Sequence, residues 1–300
     1  MAKHFGNHSV NPSTTHRAIR NPEVVNVFIQ TINYKAPTLT SPVSQACTQA
    51  QFEEEAYAYW CNQIGEAPRK HRKQWEFCYI AQVLATAGML APGRTGLGFG
   101  VGTEPLAALF ASRGARVLAT DLEAEDARRS GWVATNQHAH NKAVLNERQI
   151  CPPDIFGHNV EFAFMDMNNI PSMIGTFDFT WSACAFEHLG SIEKGHKFLL
   201  NAAKVLKPGG VAVHTTELNC VSDQETLDND GTVLFRKRDF EQMAYDLNQM
   251  GCDVELNFHL GDLPIDKHID VAPYSDDNHL KLKLSQWVTT SFGMVARKRG

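Results

Sequence analysis

The order of strand-like and helix-like segments after Pro92 constrains the fold of this chain most strongly. Short apolar runs alternate there with longer segments whose apolar residues recur at three-to-four spacing. This alternation is typical of βαβ units, in which helices cover both faces of a mostly parallel sheet. We therefore predict a doubly wound α/β fold with a seven-stranded, mostly parallel sheet. The predicted strands are 95–100, 116–121, 160–165, 177–182, 210–217, 254–260 and 287–296, and the predicted helices between them are 104–113, 125–141, 192–206 and 239–250.

The first part of the chain has a different pattern. Residues 1–45 are polar and interrupted by prolines, which favours an irregular arm with one ordered element. Helical spacing then begins near residue 49 and continues in a second segment that ends near Gly88. We predict that residues 1–90 form an arm and a helical cap or lid, and that residues 91–300 form the main domain.

The composition argues against several classes of protein. A net charge of −5 leaves no basic excess for nucleic acid. No apolar run approaches the roughly 18–20 residues of a membrane helix, and the N-terminus lacks the apolar stretch of a secretory signal. The seven cysteines include no C-x-x-C pair, which favours reduced thiols over disulfides or a zinc site. We expect a cytoplasmic protein without nucleic-acid or membrane partners, and a homo-oligomer remains open.

A glycine-rich loop stands where the first predicted strand meets the first predicted helix. Gly98, Gly100 and Gly102 let the backbone turn sharply and let a ligand approach without obstruction by a Cβ atom. The dinucleotide pattern G-x-G-x-x-G fails because its last position is Thr103, and no Walker A sequence is present. Asp121 closes the next strand, where an acid meets ribose hydroxyls in nucleotide-binding folds. The loop therefore indicates a nucleotide-like ligand other than a dinucleotide.

The segment from Gly98 to Gly102 resembles the loop that holds S-adenosylmethionine in class I methyltransferases. Asp166-Met167, the strand 177–182 and the turn Leu206-Lys207-Pro208-Gly209-Gly210 follow in the order of that family. The resemblance covers about residues 90–300 and implies a Rossmann-like fold with S-adenosylmethionine as its cofactor. The cofactor-binding residues implied in this way are Gly98, Phe99, Gly100, Gly102, Asp121, Leu122, Asp166, Met167 and Ser182.

One position departs from the family pattern. The family usually has an acidic residue two positions before the first glycine, where it contacts the amino group of the methionine moiety, and this chain has Gly96 there. Glu104, just beyond the loop, is our candidate for the missing carboxylate. If Glu104 does not take this role, uncharged groups must bind the ammonium group of the methionine moiety.

Polar residues follow the fourth and fifth predicted strands, and ligands in open α/β sheets bind at the carboxyl ends of strands. A hydroxyl is a poor nucleophile at neutral pH, so its methylation gains from a positioned base. We predict His188 as that base, because histidine titrates near neutral pH. Glu187 or Glu217 would orient His188 or bind substrate hydroxyls, and His214 is a further catalytic candidate. Alternatively, His188 opens a helix and His214 is a core residue.

The segments 182–191 and 214–219 also resemble a bacterial methyltransferase subgroup associated with glycan and lipopolysaccharide-type gene clusters, as do 71–76 and 288–293. This resemblance implies O-methylation of a sugar or a sugar-containing small molecule. Two alternatives stay open: N- or C-methylation of a secondary metabolite, and a cofactor-binding regulatory protein without transfer activity.

A divalent metal is a second mechanistic hypothesis. The connection 261–286 before the last strand is long and polar, and we predict that it is non-helical, which favours a functional loop. Histidine and carboxylate ligands suit divalent cations, which lower the pKa of a bound hydroxyl. The basic run 236–238 could instead meet an acidic group on the substrate, and 69–75 could form a lid. The candidate metal ligands are His214, Glu217, His268, Asp270 and His279.

Overall fold

The structure, a computed structural model, describes residues 14–21, 24–123, 125 and 138–300. The predicted helix 125–141 therefore lies largely outside the described residues. The strands are β1 (Thr14–Asn21), β2 (Val24–Asn33), β3 (Ser44–Ala46), β4 (Thr95–Phe99), β5 (Arg116–Asp121), β6 (Val160–Phe164), β7 (Phe177–Ala183), β8 (Leu206–Asn219), β9 (Cys252–Asp253), β10 (Glu255–Asn257), β11 (Lys281–Leu284) and β12 (Trp287–Lys298). The helices are α1 (Glu55–Gln63), α2 (Arg72–Thr86), α3 (Leu106–Ser112), α4 (Pro153–Asn159), α5 (Ile192–Lys204) and α6 (Lys237–Gln249).

These strands form one mixed sheet in the order β1-β2-β10-β3-β12-β8-β7-β4-β5-β6, and β9 and β11 pair separately with β12. The strands β4 to β8 are parallel neighbours, and β12 runs antiparallel to β8. The α/β prediction is confirmed, but the count of seven strands is wrong because the described sheet has 12 strands. The additional strands lie in the N-terminal arm or are short strands that pair with β10 and β12. Such segments show little of the periodicity from which strands are predicted.

Two hydrophobic cores lie on opposite faces of this sheet. The first contains α1, α2 and α3, and the second contains α5 and α6. Gly293 of β12 lets α2 approach the sheet closely, because a Cβ atom there would lie 2.0 Å from Cε1 of Tyr79. The helices α1 and α2, which we predicted as a cap or lid, form a layer of the main core. No helix in the described part of the chain is long and apolar enough to cross a membrane.

Two of the sequence segments that suggested the family meet at the amino-terminal end of β7. The Asp178 carboxylate accepts hydrogen bonds from Nζ of Lys207 (2.7 Å), the backbone N–H of Thr95 (2.8 Å) and Arg94 (3.1 Å). Burial alone raises a carboxyl pKa, but these donors lower the pKa of Asp178 to about 2. Asp178 and the Lys-Pro-Gly-Gly turn therefore stabilise the sheet at the end opposite to the ends that bind ligands.

The connection 261–286 is ordered by its own contacts. It contains a short 3-10 helix (Pro264–Lys267) and the strand β11, so the prediction of a non-helical connection is wrong at residues 264–267. Asp266 accepts from the backbone N–H of Gln49 at 2.6 Å, and Asp270 pairs with Nδ1 of His279 at 2.6 Å. The first contact attaches the connection to the segment before α1, and the second lies within the connection itself.

Candidate active site

A cavity of about 730 Å³ opens at the carboxyl ends of β4, β5 and β7. This volume lies in the usual range of roughly 300–1,000 Å³ for small-molecule sites. The glycine loop forms one wall, and Gly100 and Gly102 have φ angles of 54° and 51°, which side-chain-bearing residues rarely adopt. A Cβ atom at Gly100 would lie 3.1 Å from Sδ of Met167, so only glycine leaves this wall open. The loop therefore fits a ligand that lies against the backbone.

The strand ends supply the acidic side chains of the same cavity. Asp121 accepts from the backbone N–H groups of Ala139 (2.8 Å), Leu122 (2.8 Å) and Gly102 (3.1 Å), and thus fixes the loop as well as bordering the cavity. Asp166 is held by the backbone N–H of Asn168 at 2.8 Å. The predicted residues that border the cavity are Gly100, Gly102, Glu104, Asp121, Leu122, Asp166, Met167 and His188.

Three predicted cofactor residues do not border the cavity as the described residues outline it. Gly98 packs under Trp181, since a Cβ atom there would lie 2.3 Å from Cζ2 of the indole ring. Phe99 is fully buried on the opposite face of β4, where its ring meets Phe198 edge to face. Ser182 is buried and bonds to His214. Side chains alternate between the faces of a strand, and those of Phe99 and Ser182 point away from the cavity into the core, while the space at Gly98 is filled by Trp181.

The structure accounts for the departure at Gly96. A Cβ atom at that position would lie 2.3 Å from the ring of Phe179, so no acidic side chain fits there. Glu104 lies in the cavity wall instead, and its Oε1 accepts from the indole N–H of Trp181 at 2.7 Å. Burial raises the pKa of Glu104 to about 8. A carboxyl group of this kind is ionised most readily when a cation binds beside it.

His188 follows β7 in a short 3-10 turn (Phe186–His188) and borders the cavity. Its Nδ1 lies 2.9 Å from the carbonyl oxygen of Gly231. Its Nε2 lies 3.8 Å from Oε1 of Glu187. Glu187 is buried and does not border the cavity; its Oε2 accepts from Thr216, while Oε1 has no hydrogen-bond partner within the described part of the chain. Burial raises the pKa of Glu187.

Glu217 is not exposed to the cavity but belongs to a buried ionic network. It bonds to Arg72 of α2, and its Oε2 accepts from Thr289 at 2.6 Å. Burial favours the neutral carboxyl, but Arg72 outweighs it and lowers the pKa of Glu217. Glu76 adds a second buried carboxylate, which accepts from Lys73 at 3.2 Å. This network holds the first turns of α2 against the ends of β7, β8 and β12.

Sequence reasoning did not identify Arg72, Lys73 and Glu76 as members of this network. The three residues are charged and lie in the first turns of α2, where Glu76 stands four positions after Arg72 and three after Lys73 and so shares a helical face with both. That spacing was the available signal, but it could not reveal the partner in β8. Lys73 also borders the cavity, where its Nζ lies 3.5 Å from the carbonyl oxygen of Ala183.

His214 lies in the core on the other face of the sheet. It is fully buried, bonds through Nδ1 to Oγ of Ser182 at 2.8 Å, and packs against Phe198 at 5.3 Å. Burial lowers the pKa of His214 to about 3. This placement corrects the prediction of a catalytic His214, because the ring is separated from the cavity and stays neutral.

The five candidate metal ligands do not come together in the described structure. His214 is in the core, Glu217 pairs with Arg72, Asp270 pairs with His279, and His268 is exposed. Another set converges, since ligand atoms of Cys184, Glu187 and Glu217 lie within 4.8 Å of one another. Arg72 and Lys73 neutralise that set with positive charge, which disfavours a further cation.

The basic run 236–238 does not border the cavity either. Arg236 bonds to Asp239 at the start of α6, and Arg238 donates to the carbonyl oxygen of Gln224. These contacts assign the run to the start of α6 and not to the substrate.

The family model described as a methyltransferase domain matches residues 97–214. This segment extends from β4 to β8 and contains the glycine loop, Asp121, Asp166 and His188. The chain contains a methyltransferase domain. Residues 97–214 thus form a methyltransferase domain with S-adenosylmethionine as its cofactor, and the cavity at the strand ends has a volume and acidic residues that suit this cofactor.

Solved structures with a similar fold include TehB from Haemophilus influenzae, with 16% identity, 81% of this chain and 67% of that chain covered, and a TM-score of 0.48. Magnesium protoporphyrin IX methyltransferase from Synechocystis PCC 6803 has 12% identity, 83% and 97% coverage, and a TM-score of 0.46. Phosphoethanolamine N-methyltransferase 2 from Haemonchus contortus has 22% identity, 68% and 42% coverage, and a TM-score of 0.41. No curated protein sequence matches the chain.

Proposed function

We propose that this methyltransferase transfers the methyl group of S-adenosylmethionine to a hydroxyl of a sugar or a sugar-containing small molecule. The cofactor supplies an electrophilic methyl group, so the protein must provide a nucleophilic oxygen in line with it. The observation that carries the proposal is the position of His188, which shares one cavity with the glycine loop and Asp166.

The contacts of His188 suit a general base. A carbonyl oxygen only accepts hydrogen bonds, so the contact with Gly231 places the proton of a neutral imidazole on Nδ1. Nε2 then carries the lone pair that can take the proton of a hydroxyl. The carboxylate of Glu187, whose Oε1 lies 3.8 Å from Nε2, would stabilise the resulting imidazolium by its opposite charge. Glu187 thus stabilises the protonated base.

The rest of the cavity wall supports a hydroxyl-rich acceptor. Lys194 and Asp230 border the cavity beside Gly190, and Lys73 borders it from α2. Their donors and acceptors match several hydroxyl groups of one ligand. The resemblance of 182–191 and 214–219 to the glycan-associated subgroup agrees with a sugar acceptor.

The test is a product assay with the purified protein, S-adenosylmethionine, and a panel of monosaccharides and nucleotide sugars. We expect an O-methylated product by mass spectrometry and NMR. His188→Ala should lower kcat about 10²–10⁴-fold, the usual contribution of a general base, while S-adenosylhomocysteine affinity is unchanged. His158→Ala, an exposed site on α4 outside the cavity, is the matched control.

Each alternative has its own result in this assay. Full turnover by His188→Ala would remove the base from the mechanism. A methyl group found on nitrogen or carbon would replace O-methylation by the corresponding reaction. Cofactor binding without product from any acceptor class would favour a regulatory protein.

A further inference from the structure

His71 occupies the N-cap position of α2 and also borders the cavity. Its Nδ1 accepts from the backbone N–H of Lys73 at 3.1 Å. This hydrogen bond fixes the tautomer of a neutral ring, because a nitrogen that accepts carries no proton and the proton must then reside on Nε2. Nε2 of His71 has no protein partner within the described residues, so its N–H remains available to a ligand.

The connection 261–286 holds this ring in place. The His71 ring stacks on the His279 ring with 4.6 Å between centroids and 26° between planes. Nδ1 of His279 pairs with Oδ2 of Asp270 at 2.6 Å, and both of these side chains are buried. The backbones are joined as well, by bonds of 2.9 Å from His279 to Lys70 and from Arg72 to His279. A ring fixed on two sides is a pre-organised hydrogen-bond donor.

The position of His71 relative to the sheet indicates which ligand it meets. The first turn of α2 lies over the end of β7, where Lys73 approaches the carbonyl oxygen of Ala183. His279 lies beside β11 and β12, on the side of β7 away from Asp121 and Asp166. The acidic residues expected to hold the nucleoside are therefore on one side of β7, and His71 is on the other. The acceptor must enter on the side of His71.

We propose that the Nε2–H group of His71 donates a hydrogen bond to an oxygen atom of the acceptor and so positions it for methyl transfer. This role rests on the proposed function and narrows it, because a fixed donor selects an acceptor that presents a hydroxyl, carbonyl or carboxylate oxygen and disfavours an ammonium group. His71 is a substrate-positioning residue, whereas His188 carries the lone pair that accepts the proton of the acceptor hydroxyl.

The surroundings of His71 keep it in the donor form. Burial, together with the nearby His279, Arg69 and Arg72, lowers the pKa of His71 to about 4, although Glu76 acts in the opposite direction. The ring is therefore neutral throughout the neutral pH range. With Nδ1 engaged by Lys73, it cannot take a proton from the acceptor during turnover.

Two substitutions separate the donor role from the structural role. His71→Asn keeps an N-cap, since asparagine is among the preferred capping residues, but removes the fixed Nε2–H group. His71→Phe keeps an aromatic ring against His279 and removes both the cap and the donor. We expect each variant to raise the KM of the acceptor about 3- to 10-fold, the effect of one lost hydrogen bond, with S-adenosylhomocysteine affinity unchanged. His158→Asn serves as the control.

A second measurement needs no acceptor. Long-range ¹H–¹⁵N NMR of the full chain should show the Nε2–H tautomer of His71 and no protonation between pH 5.5 and 8, a window that follows from the lowered pKa. A proton on Nδ1, a titration near pH 6.5, or an unchanged acceptor KM in His71→Asn would each overturn the proposal. The proposed function is tested separately, by the identity of the methylated atom in the product and by the turnover of the His188 variant. The KM comparison can use whichever acceptor the wild-type protein methylates.

Discussion

At Gly96 and Gly98, the missing side chains make room for the rings of Phe179 and Trp181. Trp181 then donates to Glu104 and holds its carboxyl group at the cavity wall. The packing of these two aromatic rings therefore explains why position 96 has no acidic side chain. It also explains why Glu104 is held at the cavity wall. Because Glu104 is buried, its charge is costly unless a cation lies beside it.

The first prediction concerns Glu104→Gln. The glutamine can still accept from Trp181 but cannot pair with an ammonium, so S-adenosylmethionine should bind about 10- to 100-fold more weakly at pH 8, the worth of a charge-assisted hydrogen bond. Because the pKa of Glu104 is raised to about 8, the free enzyme must lose a proton before pairing at lower pH. The difference in S-adenosylmethionine affinity between the wild-type protein and Glu104→Gln should therefore be smaller at pH 6.5.

Isothermal titration at the two pH values checks this prediction. Glu161→Gln, on the exposed edge of β6, is the matched control. Equal cofactor affinity in Glu104→Gln and the wild-type protein would show that neutral groups hold the ammonium.

At the scale of elements, the two ends of β7 have separate tasks. The amino-terminal end carries Asp178, whose contacts with Lys207 and Thr95 join three strands. The carboxyl-terminal end leads into Ala183, Cys184 and the turn with His188, which border the cavity. A substitution at the first end should change stability, and one at the second end should change catalysis.

Asp178→Asn tests the structural end. Losing the charged acceptor should lower the free energy of unfolding by about 1.5–3 kcal/mol, near the lower figure because Lys207 and Arg94 are partly exposed. The pKa is lower in the folded state, so the stabilisation is complete above the unfolded pKa of roughly 3.9 and is lost as the pH falls towards about 2. Urea unfolding at pH 7 and acid titration measure both effects.

Asp276→Asn, on an exposed stretch before β11, is the control for this experiment. An unchanged unfolding midpoint in Asp178→Asn would contradict the assignment, as would a loss of activity without a loss of stability.

The candidate metal ligands also belong to the scale of elements, because each is held by a neighbouring element. Glu217 of β8 bonds to Arg72 of α2, and Asp270 bonds to His279. Their lone pairs are occupied by protein donors, so we expect the methylation rate to survive exhaustive chelation. Activity that is lost with a chelator and restored by magnesium would contradict this expectation; elemental analysis of the treated protein is the control.

At the scale of the whole molecule, the cavity lies between the N-terminal helices and the strand ends. Glu66, which follows α1, accepts from Arg148 at 2.5 Å and from Gln74 at 2.6 Å. Arg148 lies beyond β5 in sequence and borders the same cavity. The Arg148–Glu66 pair therefore joins two walls of the cavity.

Arg148→Ala should loosen this connection. We expect S-adenosylhomocysteine to dissociate about threefold faster or more, a modest effect because the ion pair is partly exposed, with little change in unfolding temperature. Stopped-flow fluorescence measures the dissociation rate. Arg116→Ala, which removes an arginine outside the cavity, is the control, and an unaltered dissociation rate would show that the pair does not close the site.

Local patterns in the sequence determined the α/β alternation, the position of the glycine loop and the order of the segments that resemble methyltransferases. The parallel strands β4 to β8 and the cavity borders at Gly100, Asp121 and Asp166 follow from these patterns. They are accessible from sequence because strand and helix periodicity, and the conformational demands of glycine, act between near neighbours in the chain.

Only the tertiary structure decided which polar residues reach the cavity. Periodicity shows that a strand has two faces but not which face meets a ligand, and so His214 and Ser182 were assigned to the site although they lie in the core. The partners of Glu217 and His279 lie in α2 and at its start, far away in sequence. Such pairings arise from the packing of whole elements, and no local spacing encodes them.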